Sequence, residues 1–180
     1  MRVVILLADG FEEIEAISAI DILRRAKIDV VSASITDHLE VEGSHGLNVR
    51  ADALFSDISG KDFRSVILPG GMRGVENLLQ FEALGAFLTK HAEAGAVIAA
   101  ICAAPLVLDK YHLLDINGYT CHPTVARRVT TPGRRFEAVV RSGRMLTSRS
   151  AGTAMAWSLE LVKMLLGKAP DDLLRGLALS

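Results

Sequence analysis

Four short aliphatic runs, each separated from the next by a longer segment, constrain the fold more than any other feature of the sequence. They cover residues 2–7, 29–34, 65–69 and 96–101. The longer segments have helical composition, and 12–26 carries acids in its first turn, where they stabilise a helix. The alternation predicts strand-helix-strand units. Half of the residues are hydrophobic and aromatics are scarce, so we expect an α/β fold in which helices cover both faces of a mostly parallel sheet.

Other segments predict further helices and two hairpins. Helices are expected around 75–80 and over 83–94 and 153–166. Residues 38–53 alternate apolar and polar positions around Gly43-Ser44-His45-Gly46, which is typical of a small two-stranded hairpin. A second hairpin is expected with its turn at Ser142-Gly143.

Length and charge limit the class of protein. A chain of 180 residues suits one domain over 1–180. Its net charge of −1 argues against nucleic acid or a membrane surface as an obligatory partner. Residues 127–149 hold seven arginines against one acid, Glu137, but no motif of a nucleic-acid-binding fold accompanies them. We interpret this stretch as a solvated face.

The N-terminus and the cysteines predict a cytoplasmic protein. The first residues lack the basic flank, apolar segment and cleavage site of a secretory signal. The longest uncharged run, 94–108, is shorter than the roughly 18 apolar residues that span a bilayer. In a reducing cytosol, Cys102 and Cys121 are expected to be free thiols.

Cys102 stands between a buried strand and the start of a helix. Val97–Ile101 precede it, and Ala103-Ala104-Pro105 follow. A strand that turns sharply into a helix between small residues is the layout of a nucleophile elbow, which lifts the side chain above the sheet. We expect the helix dipole and free N–H groups to favour the thiolate and to lower the thiol pKa. The alternative is a buried structural cysteine.

Three other loops are expected to meet Cys102. Ligands bind at the carboxyl ends of parallel strands, and residues 9–15, 69–74 and 121–123 follow such ends. If Glu15 reaches the sulfur, burial and the neighbouring negative charge raise the pKa of its carboxyl, which then stays protonated. Otherwise Glu15 is a surface acid that stabilises its helix.

The same loops supply a candidate base and candidate hydrogen-bond donors. His122 is of the residue type that serves a cysteine nucleophile as general acid or base, although a lone histidine is more often structural. The N–H groups of Gly70, Gly71 and Ala103 are candidates for an oxyanion hole, since glycine permits close backbone approach. A plain tight turn is the alternative at the glycine pair.

No metal or cofactor is expected. Cys102, Cys121 and the histidines show no strong zinc spacing. Residues 69–74 are glycine-rich but have neither the lysine of a phosphate-binding loop nor the spacing of a dinucleotide-binding loop.

Five segments together resemble the DJ-1/ThiJ/PfpI family, in its small single-domain branch. They are Asp9–Glu15, Leu68–Gly71, Ala99–Pro105, His122-Pro123 and Leu146–Arg149. The resemblance covers nearly the whole chain and implies a flavodoxin-like sandwich that forms a homodimer. It also implies that Cys102 is the nucleophile, readily oxidised to a sulfinate.

The resemblance assigns roles to the other candidates. Glu15 matches the carboxyl that hydrogen-bonds the cysteine, and His122 the nearby histidine. Gly71 and Ala103 match the residues whose N–H groups face the reacting oxygen. Two positions depart from the family pattern: His45 replaces an arginine of some relatives, and Cys121 adds a second thiol.

The resemblance implies three functions. The first is a cofactor-independent glyoxalase or deglycase acting on α-oxoaldehydes such as methylglyoxal and glyoxal, or on their adducts on proteins. The second is a redox-sensing chaperone that uses the same oxidisable cysteine. The third, a cysteine peptidase, requires a complete triad, and no obvious acid follows His122.

Overall fold

A seven-stranded sheet forms the centre of the computed structural model, which describes residues 2–179. Its strands are β1 (Arg2–Leu7), β2 (Asp29–Ser34), β5 (Ala53–Leu54), β6 (Ser65–Leu68), β7 (Val97–Ile101), β8 (Val139–Ser142) and β9 (Met145–Ser148). They lie in the order β5-β2-β1-β6-β7-β9-β8, and all neighbours are parallel except β8 and β9. The five central strands β2-β1-β6-β7-β9 have the flavodoxin-like order, with the reversal between β1 and β6.

Helices cover both faces of this sheet, as predicted. They are α1 (Glu13–Arg25), α2 (Phe55–Ile58), α3 (Met72–Gln80), α4 (Ala83–Glu93), α5 (Pro105–Lys110), α6 (Ala154–Leu166) and α7 (Asp171–Gly176). One core cluster joins the sheet to α1, α6 and α7, and the other joins it to α2, α3, α4 and α5. Short 3₁₀ turns lie at Pro123–Val125 and Ala151–Thr153.

The two cores follow from the alternation of side chains along each strand. In β1, Val3, Ile5 and Leu7 enter the cluster on the α1 side. Val4 and Leu6 enter the opposite cluster. Successive side chains of a strand point to opposite faces, so an uninterrupted aliphatic run fits a strand that is buried on both sides.

Both predicted hairpins are present. The small sheet pairs β3 (Glu40–Glu42) with β4 (Asn48–Arg50), and β8 pairs with β9 around a turn at Gly143-Arg144, one residue later than predicted. The predicted helices 12–26, 75–80, 83–94 and 153–166 correspond to α1, α3, α4 and α6, with ends that differ by up to three residues. Within residues 2–179, no helix is both long and apolar enough to cross a membrane.

Candidate active site at the carboxyl ends of the strands

Cys102 occupies a strained turn directly after β7. Its backbone φ is +64°, in the left-handed region that non-glycine residues avoid at a cost of about 1–3 kcal/mol. The Cys102 N–H donates to the Ser148 carbonyl at 2.9 Å, and the Cys102 carbonyl accepts from the His122 N–H at 2.7 Å. These two bonds hold the strained residue in place and leave its thiol half-buried above the sheet.

Glu15 lies in the first turn of α1, and its side chain is fully buried. Its Oε2 accepts the Gly70 N–H at 2.7 Å, and its own N–H donates to Glu12 Oε2 at 2.8 Å. Oε1 is buried without a hydrogen bond of its own among residues 2–179. A buried, unpartnered carboxylate oxygen is costly, so this environment favours a carboxyl that holds a proton.

Glu15 and Cys102 are close neighbours that titrate as a pair. Burial raises the pKa of the Glu15 carboxyl to about 7, and the charge of Glu12 adds to the rise. Burial, followed by the charge of Glu15, raises the pKa of the Cys102 thiol to about 12. The pair therefore loses one proton near pH 7 and shares the other between carboxyl and sulfur up to about pH 12.

The raised thiol pKa differs from the lowered value that the elbow pattern led us to expect. The helix after the cysteine, α5, has six residues, so its dipole is short. The N–H groups of Gly71 and Ala103 do stabilise the thiolate, but burial and the Glu15 charge outweigh them. A thiolate forms here when the shared proton moves to Glu15.

The two glycines after β6 have different roles. Gly71 has φ +87°, and a Cβ there would collide with the Gly10 carbonyl, so glycine is needed to aim the Gly71 N–H at the sulfur. Gly70, which we expected to be an oxyanion donor, instead gives its N–H to Glu15. The donors that face the sulfur are therefore Gly71 and Ala103.

His122 is tied to the site through its main chain. Its N–H bonds the Cys102 carbonyl, whereas its ring Nδ1 lies 2.7 Å from Thr124 Oγ1. Within residues 2–179, no hydrogen bond joins the His122 ring to a carboxylate or to the Cys102 sulfur. This geometry lacks the acid-histidine contact of a protease triad.

A second buried acid lies beside the site. Glu13 accepts hydrogen bonds from the His45 N–H at 2.5 Å, from Ser44 Oγ at 3.1 Å and from His45 Nδ1 at 2.9 Å. Burial alone would raise the pKa of Glu13, but these bonds lower it to about 2, and Glu13 in turn raises the pKa of His45. His45 thus pairs with an acid of its own chain.

The surroundings of Glu13 also contain side chains of the kinds that bind metal ions. Over residues 2–179, Glu12, Glu13 and His45 form a group whose ligand atoms lie within 4.8 Å of one another. The Glu13 carboxylate already accepts three hydrogen bonds, so Ser44 and His45 satisfy its oxygen atoms without a metal.

The sequence interpretation missed two contributors to the site. Ser148 fixes the cysteine through its carbonyl oxygen, which any residue would offer, so its side chain carried no signal. Glu12 caps the N-terminus of α1 and raises the Glu15 pKa, and an acid three residues before Glu15 was a usable signal for that cap.

Known proteins resemble this chain in sequence and in fold. Residues 1–164 match the model of the DJ-1/PfpI family. The chain belongs to the DJ-1/PfpI family. This confirms the resemblance seen in the five sequence segments, and the flavodoxin-like fold is confirmed by the solved structures of the family. Drosophila melanogaster DJ-1beta superposes with a TM-score of 0.95 at 31% identity, covering 99% of this chain and 98% of that one.

Three curated relatives show the range of the family. "Protein DJ-1 homolog A" of Arabidopsis thaliana is 38% identical over 168 residues, 93% of this chain and 43% of the relative. "Glutathione-independent glyoxalase DJR-1.2" of Caenorhabditis elegans is 33% identical over 180 residues, 98% of this chain and 95% of the relative. "Deglycase TK1284" of Thermococcus kodakarensis is 32% identical over 167 residues, 92% and 99% of the two chains. The chain spans about two fifths of the Arabidopsis relatives' length.

Both cysteines are free thiols, as predicted. Cys121 is fully buried, and burial raises the pKa of its thiol despite the nearby Arg134 guanidinium. Cys102, in contrast, is half-buried and coupled to Glu15.

Proposed function

We propose that this protein is a cofactor-independent glyoxalase or deglycase that acts on α-oxoaldehydes, or on their adducts, through Cys102. The coupled pair of Glu15 and Cys102 carries the proposal. A nucleophile and an acid-base group lie side by side, with one proton between them and two N–H donors aimed at the sulfur. Two relatives that this chain covers almost fully carry the names glyoxalase and deglycase.

The chemistry balances without a cofactor. The Cys102 thiolate adds to the aldehyde carbon of methylglyoxal, and the oxygen takes the shared proton to give a hemithioacetal. A proton is then moved from that carbon to the neighbouring ketone carbon, and the hydroxyl proton passes to the ketone oxygen, so the first carbon is oxidised to a carbonyl and the second is reduced to an alcohol. The product is a lactoyl thioester, and water cleaves it to lactate and the free thiol.

Glu15 is suited to move these protons. Its pKa of about 7 lets it give and take a proton near neutral pH, where general acid-base catalysis is most efficient. We propose Gly71 and Ala103 as donors to the developing oxyanion. His122, whose main chain holds Cys102 and whose ring contacts Thr124, is proposed as a second acid-base group at the rim.

Methylglyoxal consumption and lactate formation test the proposal, measured without glutathione or metal. The reduced wild type should turn over, and Cys102→Ser should not. Cys121→Ala is the matched control, because it removes the other thiol and should keep the activity. No turnover by the folded wild type would overturn the proposal and favour the redox-sensing chaperone. Equal turnover by wild type and Cys102→Ser would exclude Cys102 as the nucleophile.

We further propose a homodimer in the cytoplasm. An apolar groove of about 390 Å³ lies along α1 and the tip of the small hairpin, away from Cys102. Ile14 and Leu47 in it are 57% and 60% exposed. A second copy would bury these side chains, and the chain would then have a concentration-dependent mass in sedimentation. A monomer that persists at all concentrations would contradict this.

A further inference from the structure

Arginines without ion-pair partners are concentrated in one segment, residues 127–149, here called the arginine segment. None of its seven arginines forms an ion pair within residues 2–179, although Glu137 lies among them. Elsewhere, five of the seven other arginines do. Six of the seven in the segment are exposed. Their charges are therefore available to a partner.

The arginine segment adjoins the reactive cysteine. The Cys102 main chain hydrogen-bonds two residues at the ends of this region. They are His122, shortly before the segment, and Ser148, the residue before Arg149. Arg128 Nη1 lies 3.6 Å from the sulfur of Met72, the residue after the Gly71 donor. Arg128 thus contacts the residue after the Gly71 donor, and Arg149 directly follows the residue that accepts the Cys102 N–H.

An exposed aromatic ring lies beside Arg149. Phe136 is 74% exposed. The Arg134 guanidinium lies 5.0 Å from its ring centroid, and Arg149 Nη1 donates to the Phe136 carbonyl at 3.1 Å. A large apolar side chain that is open to solvent beside a guanidinium is typical of an interface anchor.

We propose that Arg127, Arg128, Arg149 and Phe136 form a docking surface for an acidic, aromatic- or aliphatic-containing segment of a polypeptide. Guanidinium forks match carboxylates in geometry and charge, and the ring offers an apolar contact. The overall charge of −1 and the single exposed ring fit a short acidic peptide better than a polyphosphate backbone. The inference rests on the proposed function, since docking beside Cys102 would present a modified side chain to the thiol.

Fluorescence anisotropy with a short labelled peptide of glutamates around one phenylalanine tests the surface. Wild type should bind it with an affinity that falls as salt rises, because exposed charges are screened. The Arg128→Gln/Arg149→Gln variant should raise the Kd by about 10-fold, since two surface ion pairs are lost. Arg64→Gln is the matched control: Arg64 is exposed and without an ion pair, but lies at the opposite end of the sheet. It should bind like wild type.

A second double variant controls for misfolding of the first. The Arg149 side chain supports the loop through Phe136, whereas the side chains of Arg127 and Arg128 make no hydrogen bond to the main chain within residues 2–179. The Arg127→Gln/Arg128→Gln variant should therefore keep the wild-type melting curve and still bind the peptide more weakly. Bound peptide should also slow the alkylation of Cys102 several-fold.

The outcomes separate the docking surface from the proposed reaction. Failure of wild type to bind the acidic peptide, or binding unchanged in both double variants, would overturn the docking surface. Equal or tighter binding of an oligothymidylate would assign the surface to nucleic acid instead. None of these measurements requires turnover, and methylglyoxal turnover by wild type tests the reaction separately.

Discussion

Replacement of Glu15 by Gln separates two titrations that the wild-type pair couples. In wild type, one proton leaves near pH 7 and the other near pH 12. Glutamine keeps the size of the side chain, and its carbonyl oxygen can still accept the Gly70 N–H, but it has neither the charge nor the titrating proton. The Cys102 thiol of the variant therefore titrates alone.

The pH midpoint of that single titration has two bounds. It lies below about 12, because the Glu15 charge is gone while burial of the thiol remains. It also lies at or above about 7. The pKa of about 7 describes loss of the first proton from either member of the wild-type pair, and loss from the sulfur alone is only one of these two routes, so its pKa cannot be lower. Methylglyoxal turnover should fall by at least about 100-fold, the usual contribution of a general acid-base group.

Alkylation of Cys102 by iodoacetamide, followed by mass spectrometry across pH, measures these midpoints. The wild-type rate should stay low at neutral pH and rise toward pH 12, whereas the Glu15→Gln rate should rise at lower pH, because the charge that raises the thiol pKa is gone. Glu12→Gln is the matched control: it removes a charge that raises the Glu15 pKa but leaves the Glu15 charge beside the sulfur, so its alkylation profile should follow that of wild type. A wild-type profile that superposes on that of Glu15→Gln would refute the coupling of the two groups.

Three further outcomes are expected. Gly70→Ala places a methyl 2.6 Å from both members of the cysteine-glutamate pair, so lactate formation should fall by at least about 10-fold, and a rate equal to wild type would contradict the close packing. Ile17→Glu puts a charge in the groove along α1, so sedimentation should show a monomer at concentrations where wild type dimerises. For His45→Gln, the loss in free energy of unfolding should be largest near pH 5 by urea titration, where both Glu13 and His45 are charged. It should shrink as pH falls toward the Glu13 pKa of about 2, and also as pH rises through the raised His45 pKa; a pH-independent loss would exclude the pair.

The parallel sheet was predictable because strands buried on both faces need aliphatic side chains at every position. Val3–Leu7 shows this in its simplest form, with alternate residues in opposite cores. The elements that the sequence did not reveal are short: β5 (Ala53–Leu54), α2 (Phe55–Ile58) and α7 (Asp171–Gly176). Elements of two to six residues contain too little of a period to be recognised, and their form is decided by packing against the sheet.

The convergence of Glu15, Gly71 and Cys102 was predictable from their positions after parallel strands, because the carboxyl ends of such strands meet at one edge. The direction of the Cys102 pKa was not. It depends on how deeply the thiol is buried and on the charge of Glu15, and both are properties of the assembled structure. The sequence likewise does not show which acceptor the Gly70 N–H binds. Two adjacent glycines both offer an N–H donor, and the backbone dihedrals decide where each one points.

The proton shared by Glu15 and Cys102 also makes this thiol a reporter of folding. The two residues come from elements far apart in the chain and meet only when α1, β6 and β7 are packed together. In an unfolded chain each would titrate at its ordinary value, with the thiol near 8.5. Pulse alkylation at neutral pH would therefore label unfolded molecules faster than folded ones, because burial and the Glu15 charge raise the pKa of the folded thiol to about 12.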